Sequence, residues 1–199
     1  MFVKLENGEI LAKEINSYQD IDDELVSHPD SIYDSMDQIA RIEWLVTQKM
    51  EKPIMEVGTA CGYVLYRLDG DIGIDIRLDR LLVSKTKYPD KKFYYGNILN
   101  LTPFYNMEIK SVVISEILEH VTFDLAFHAL LHCLKVAPTV YYTLPNIDKD
   151  AGVSKNLEHK WYPTRDNVKI LFDNVNNHIK IIYDMNEIST FLCGTIRRI

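Results

Sequence analysis

Three cysteines in 199 residues, Cys61, Cys133 and Cys193, form no C-x-x-C and cannot all pair. That scarcity excludes a disulfide framework and predicts free thiols in a reducing compartment. No run approaches the ~18 apolar residues that a membrane-crossing helix needs. The opening stretch, MFVKLENGEI, shows no basic segment leading into an apolar one, so a cytoplasmic protein without a membrane partner is expected. Positive charge is also short. The net charge is -7, and residues 1–50 carry all of it, with 11 Asp and Glu against 4 Lys and Arg. Such a front end argues against broad binding to a phosphate backbone, which needs a basic stripe, while leaving room for recognition of one nucleotide end in a local pocket. There is no internal repeat, no low-complexity tract and no sharp break in composition. A hydrophobic fraction of 47% is ample for the core of a single globular domain.

The chain is organised around Pro53–Gly62, PIMEVGTACG. Ile54, Met55 and Val57, with Glu56 among them, read as a short buried strand. It stops at Gly58, where the lack of a Cβ permits a tight turn and a close approach to a ligand. Gly62 follows, and then the helical run YVLYRL. Strand, glycine turn and helix open a nucleotide-binding α/β sheet. A dinucleotide fingerprint requires G-x-G-x-x-G, and Tyr63 stands where its last small residue should be.

Upstream, residues 1–13 read as a hairpin turned at Asn7-Gly8. The acidic stretch Asp20–Asp37 reads either as a lid or as a solvated linker. From Asp34 to Lys49, Met36, Ile39, Ile42, Leu45 and Val46 recur at helical spacing and predict a helix packed on the sheet. Downstream, IGIDI is a second buried strand, with Asp75 near its end, 17 residues after Gly58. An acid about 20 positions on, at a strand end, suits ribose hydroxyls; capping the next helix is the alternative role. Leu78–Thr86 reads as helix, KKFYY as a third strand ending at Gly96-Asn97, and SVVIS (Ser111–Ser115) as a continuous, β-branched central strand. The segment FDLAFHALLHCLKV is an amphipathic helix whose His128 and His132 have metal-compatible spacing but no third ligand. TVYYTL makes a fifth strand, Thr164 suits a helix N-cap, and IKIIYD with STFLCGTIRRI make a closing hairpin.

The motifs EVGTACG, GIDI, GNILNL, SEILEHV, TLPN and EHKWYPT, in this order, resemble the class I S-adenosylmethionine-dependent methyltransferases over residues 34–199. Ala60 stands at the middle glycine of that family's E/D-x-G-x-G-x-G loop. The resemblance implies a seven-stranded, mostly parallel α/β sheet with helices on both faces and a C-terminal antiparallel hairpin strand. Residues 1–33 would then form an N-terminal hairpin and acidic cap over the acceptor pocket. It also implies S-adenosylmethionine bound by Glu56, Gly58, Ala60, Gly62, Asp75, Ile76, Asn97 and Ile98, with Asn97 facing the adenine amino group.

SEILEHV resembles the E-x-x-E-H of the ubiquinone-biosynthesis O-methyltransferases and of the enzymes that methylate the 3′-terminal 2′-hydroxyl of small RNAs. If helical, it puts Glu116, Glu119 and His120 on one face. The resemblance adds His159, so these four residues either hold a divalent ion (Mn, Fe, Zn or Mg) or only bind substrate and brace the loop. His120, Glu116 and Glu119 are the candidate catalytic groups, since an attacking hydroxyl must lose its proton to a base or to an ion-lowered pKa. The expected function is methyl transfer to a small-molecule acceptor, at a hydroxyl oxygen. The alternatives are metal-dependent 2′-O-methylation of an RNA 3′ end, for which Lys155, Lys160, Trp161, Arg165, Arg197 and Arg198 offer cationic and aromatic groups, and a non-catalytic cofactor-binding module.

Overall fold

The computed structural model describes residues 2–4, 10–14, 35–149 and 156–199. The expected Asn7-Gly8 turn and nearly all of the acidic 20–37 stretch lie outside the described residues.

Five short strands, β3 (Ile54–Val57), β4 (Ile72–Asp75), β5 (Lys92–Tyr95), β6 (Ser111–Ser115) and β7 (Thr139–Pro145), run parallel in the order β5-β4-β3-β6-β7. Strand β10 (Phe191–Arg198) then pairs antiparallel with β7 over seven residues and separates it from β8 (Ile181–Tyr183). These seven strands are the sheet that the family resemblance implies. Strand β9 (Asn186–Ile188) adds to β10, and at the opposite edge β1 (Phe2–Lys4) and β2 (Ile10–Glu14) pair with each other and, through β2, antiparallel to β5. The described sheet is therefore ten-stranded, because the N-terminal hairpin joins its edge.

Strands β3 and β6 are buried on both faces, which explains their continuous apolar runs. Alternation assigns those faces. Val112 and Ile114 join the large cluster under α4 (Phe123–Val136) and α5 (Arg165–Asn176), while Val113 turns to the opposite side. There Ile42 and Leu45 of α1 (Met36–Thr47) pack with Ile54 and Val64, the latter from α2 (Tyr63–Arg67). Leu81 of α3 (Leu78–Lys87) covers Phe93. The buried stripe of α1 runs Arg41, Ile42, Leu45; Met36, Ile39 and Val46, expected to face the sheet, are exposed. Thr164 caps α5 in a reciprocal box with Asn167. Helix α4 buries Ala126, Leu130, Cys133 and Leu134, its His132 meets the Tyr105 hydroxyl at 2.5 Å, and His128 stays exposed.

Strand order reverses between β3 and β6: the chain leaves β3 toward β4 and β5, and leaves β6 toward β7. Loops after these two strands diverge and open a crevice over the carboxyl ends, where ligands of such sheets bind. Gly194 fixes how β10 closes the sheet, since a Cβ there would meet the Asp184 carbonyl and the Tyr142 hydroxyl, which are bonded to each other at 2.9 Å. Gly194→Ala should cost about 1–3 kcal/mol, as overpacking does. Urea denaturation would show it as a lowered midpoint with an unchanged slope.

Candidate active site

The glycine loop is built from backbone conformations that only small residues hold cheaply. Gly58, Ala60 and Gly62 have φ of 80°, 47° and 79°. Ala60 thus takes the left-handed turn that a glycine would take there, at the cost of some strain. The amides of Gly58 and Thr59 both donate to the Ile74 carbonyl, at 2.7 and 2.9 Å. A Cβ on Gly58 would run into the Ile117 side chain, so this glycine also admits the β6 loop against the β3 loop.

Asp75 stands at the end of β4, 9% exposed, and accepts from the Ala60 and Arg77 amides, each at 2.8 Å. It therefore braces the glycine loop and the start of α3 together, and each carboxylate oxygen keeps a further lone pair. Ile76 beside it is exposed toward the same cavity. Asn97 and Ile98 do not line that cavity. The Asn97 carbonyl oxygen, the atom expected to face adenine, accepts from the Leu99 amide at 2.9 Å in a local turn, and Ile98 is buried in the large core cluster. Asn in a loop commonly makes this bond to the amide two residues on.

The segment after β6 is not an α-helix. Glu116 takes a left-handed φ of 58°, Ile117 is neither helical nor extended at φ -128° and ψ -40°, and only Leu118–His120 form a single 3-10 turn. Helical spacing is thus not what gathers the acidic groups. A second segment completes the group instead. The Lys160 amide donates to the Glu119 carbonyl at 2.7 Å, and the Trp161 indole N–H to the Leu118 carbonyl, also at 2.7 Å. These two bonds lay residues 156–162 across the turn and bring the His159 ring 5.1 Å from that of His120, edge to face. Ligand atoms of Glu119, His120 and His159 lie within 4.8 Å of one another, the one such group of three among the described residues; Glu116 is outside it. Both Glu119 carboxylate oxygens and His159 Nδ1 are buried without a hydrogen-bond partner. Such orphaned polar atoms are costly. A cation among them would satisfy all three, so these residues fit a divalent ion.

Beneath the crevice lies a charge cluster that the motifs do not announce. Arg41 is 2% exposed and donates to the Ser115 and Thr143 hydroxyls and to Gln38 Oε1. Its position in the stripe of Ile42 and Leu45 was the available sequence signal, a cation where apolar residues belong. Facing it are the buried carboxyls of Glu56 and Glu119 and the part-buried one of Glu116. Burial pushes Glu56 up to about 8, with the Thr59 hydroxyl bond at 2.6 Å opposing the shift. Burial raises Glu116, and raises Glu119 further because Glu116 repels its charge. His120 and His159 are both shifted down, chiefly by burial, which keeps their rings neutral and able to ligate.

These groups share one cavity of about 600 Å³, bounded by Gly58, Ala60, Asp75 and Ile76 on one side and by Glu116, Glu119, His120 and His159 on the other. That size suits a single bound ligand. Gly62 supports the loop from behind, its Cβ position facing Tyr88 and Ser84. Of the groups proposed for an RNA end, Trp161 is buried beneath the turn, Arg165 lies 3.7 Å from Glu187, and Lys155 is outside the described residues.

Because Glu56 holds its proton up to about 8 when folded and releases it near 4.5 when unfolded, the native state binds more protons between those values. Its contribution is fully present below about 4.5 and is lost as pH rises through about 8. Unfolding free energy measured by urea titration across that window should decline with pH, and Glu56→Gln should flatten the decline.

Neither family models nor curated protein sequences yield a match to this chain. Solved structures do. The small RNA methyltransferase HEN1 superposes with a TM-score of 0.67 at 17% identity, over 79% of this chain and 25% of its own, so this chain spans a quarter of that protein's length. The methyltransferase domain of a bacterial Hen1 gives 0.66 at 12% identity, over 81% and 97%. Magnesium protoporphyrin IX methyltransferase from Synechocystis, with bound SAH, gives 0.60 at 13% identity, over 85% and 92%. With the strand order, the inserted antiparallel strand and these likenesses together, the chain has the class I methyltransferase fold.

Proposed function

We propose that this protein transfers the methyl group of S-adenosylmethionine to a hydroxyl oxygen of its acceptor, with a divalent ion held by Glu119, His120 and His159. The observation that carries this reading is the single cavity that joins the left-handed glycine loop and Asp75 to the orphaned carboxylate of Glu119 and its two histidines.

The residues divide the work. Asp75, held by two backbone amides, accepts from the ribose hydroxyls through its free lone pairs. Arg41 lines the cavity beside Gly58 and Glu56 and offers a fixed cation to the cofactor's carboxylate. When bound, S-adenosylmethionine supplies an electrophilic methyl: the acceptor oxygen forms the new C–O bond as the C–S bond breaks, the electron pair stays on sulfur, and the hydroxyl proton departs. When bound, a divalent ion supplies Lewis acidity that lowers the pKa of the acceptor hydroxyl. Mixed carboxylate and imidazole ligation favours Mn, Fe or Zn over Mg. Glu116, outside the ligand group and raised by burial, is the carboxylate placed to take the departing proton. Orientation of acceptor against methyl contributes much of the rate, and the bonds that fasten residues 156–162 to the 3-10 turn fix that orientation.

A small hydroxyl compound suits the acidic chain. The same geometry also admits the 3′-terminal ribose of an RNA, and the likeness to the small RNA methyltransferases favours that second acceptor. Calorimetry with S-adenosylhomocysteine should show binding that Asp75→Ala weakens by about 1–3 kcal/mol; an unchanged titration of the variant would remove Asp75 from the cofactor site. Co²⁺ added to metal-free protein should give visible absorption bands that Glu119→Gln and His159→Ala abolish and His128→Ala leaves intact. Chelation should stop turnover while sparing affinity for S-adenosylhomocysteine. Full activity in chelator-treated protein would refute the metal assignment.

A further inference from the structure

Two arginines at the start of α3 line the cavity, Arg77 and Arg80, and they differ in what they bind. Arg77 is spent on Asp79, which it meets through two nitrogens at 2.7 and 3.3 Å. The Arg80 guanidinium has no hydrogen-bond or ion partner among the described residues, although it is half-buried. Its helix is anchored, with Leu81, Val83 and Ser84 buried and the Ser84 hydroxyl bonded to the Arg80 carbonyl at 3.0 Å. A pinned backbone, a confined cavity and an uncommitted guanidinium together form half of an ion pair.

Its place in the cavity says which ligand completes it. Arg80 lines the same cavity as the Glu119–His120–His159 group, and its guanidinium is a cation in the space where an acceptor would meet that group. Arg41, the third arginine of the cavity, is bonded to Ser115, Thr143 and Gln38 on the floor and in the transferase reading serves the cofactor's carboxylate. We infer that Arg80 binds a phosphate group carried by the methyl acceptor next to its reacting hydroxyl. The planar guanidinium fork matches two phosphate oxygens at once, which a lysine cannot do. A phosphate there also cancels the repulsion that Arg80 exerts on a cation at His120, so acceptor phosphate and divalent ion should strengthen each other's binding. The inference rests on the transferase reading and narrows its acceptor to a phosphorylated hydroxyl compound, whether a free phosphomonoester or the terminal phosphodiester of an RNA.

The test is calorimetric titration of inorganic phosphate into the full chain, with and without S-adenosylhomocysteine and Mn²⁺. The wild type should bind phosphate, and more tightly with Mn²⁺ present. Arg80→Gln should weaken phosphate binding about tenfold or more, the scale of a charge-assisted bidentate contact, and Arg80→Lys should restore part of it. Both variants should bind S-adenosylhomocysteine as the wild type does. Equal phosphate affinity in Arg80→Gln, no phosphate binding by the wild type, or loss of S-adenosylhomocysteine affinity in the variant would each overturn the inference. Absence of S-adenosylhomocysteine binding in the wild type would instead sink the transferase reading, and the phosphate titration without it would still judge Arg80. Glycerol 3-phosphate and a ribodinucleoside monophosphate, titrated in parallel, separate the two sources: the one that depends more on Arg80 is the acceptor class.

Discussion

The buried guanidinium of Arg41 is the interaction on which the site depends. It reaches from α1 to the ends of β6 and β7 through Ser115 and Thr143, and its charge faces Glu56, Glu116 and Glu119. Burial raises the proton affinity of all three carboxyls, repulsion from Glu116 adds to it at Glu119, and the charge of Arg41 opposes the shift at each. Removing one member of such a set costs about 3–5 kcal/mol, because the remaining charges stay buried and uncompensated. Arg41 also lies over the Phe191 ring, 5.4 Å from its centre, so the same side chain locks α1 to the antiparallel strand that closes the sheet. Fold and site therefore share one electrostatic anchor.

A second constraint sets the chemistry. The 3-10 turn after β6 and residues 156–162 are held together by two backbone-directed bonds at 2.7 Å, and between them they bury a carboxylate with no donor. Trp161 contributes from below, its indole N–H on the Leu118 carbonyl and its ring edge-to-face with Phe123, centroids 5.1 Å apart. An indole in that position fixes the strand of residues that carries His159. Hence Glu119, His120 and His159 converge although the last two stand 39 positions apart in the chain. Polar atoms left unsatisfied in an otherwise well-bonded interior are a common mark of function, since burial without a partner is retained only where a ligand supplies it.

The elements were largely legible from the chain. SVVIS and FDLAFHALLHCLKV occupy the strand and helix that their patterns indicate, and Thr164 caps the helix it precedes. Buried parallel strands must be continuous apolar runs, and caps are local chemistry, so both are written in short stretches of sequence. The glycine loop was legible for the same reason, because its left-handed turns demand small residues at 58, 60 and 62. Asp75 was placed by its spacing from that loop, and it does lie at the strand end.

What the sequence could not hold is anything that depends on which separate segments meet. The E-x-x-E-H stretch promised a helical face, yet the left-handed Glu116 breaks it, and the grouping of Glu119 with His120 and His159 comes from bonds across the chain. Asn97 was set aside for adenine by resemblance, and its oxygen accepts from the Leu99 amide in a local turn outside the cavity lining, a placement that the resemblance did not carry. Arg41 and Arg80 carried no motif, and only the packing of α1 and α3 against the crevice gives one of them a buried network and leaves the other without a partner. The sequence by itself determined the sheet, its helices and the glycine loop, because periodicity and backbone sterics act over a few residues. The tertiary structure decided that Glu119, His120 and His159 converge without Glu116, and which cations line the pocket, because burial and charge act between residues far apart in the chain.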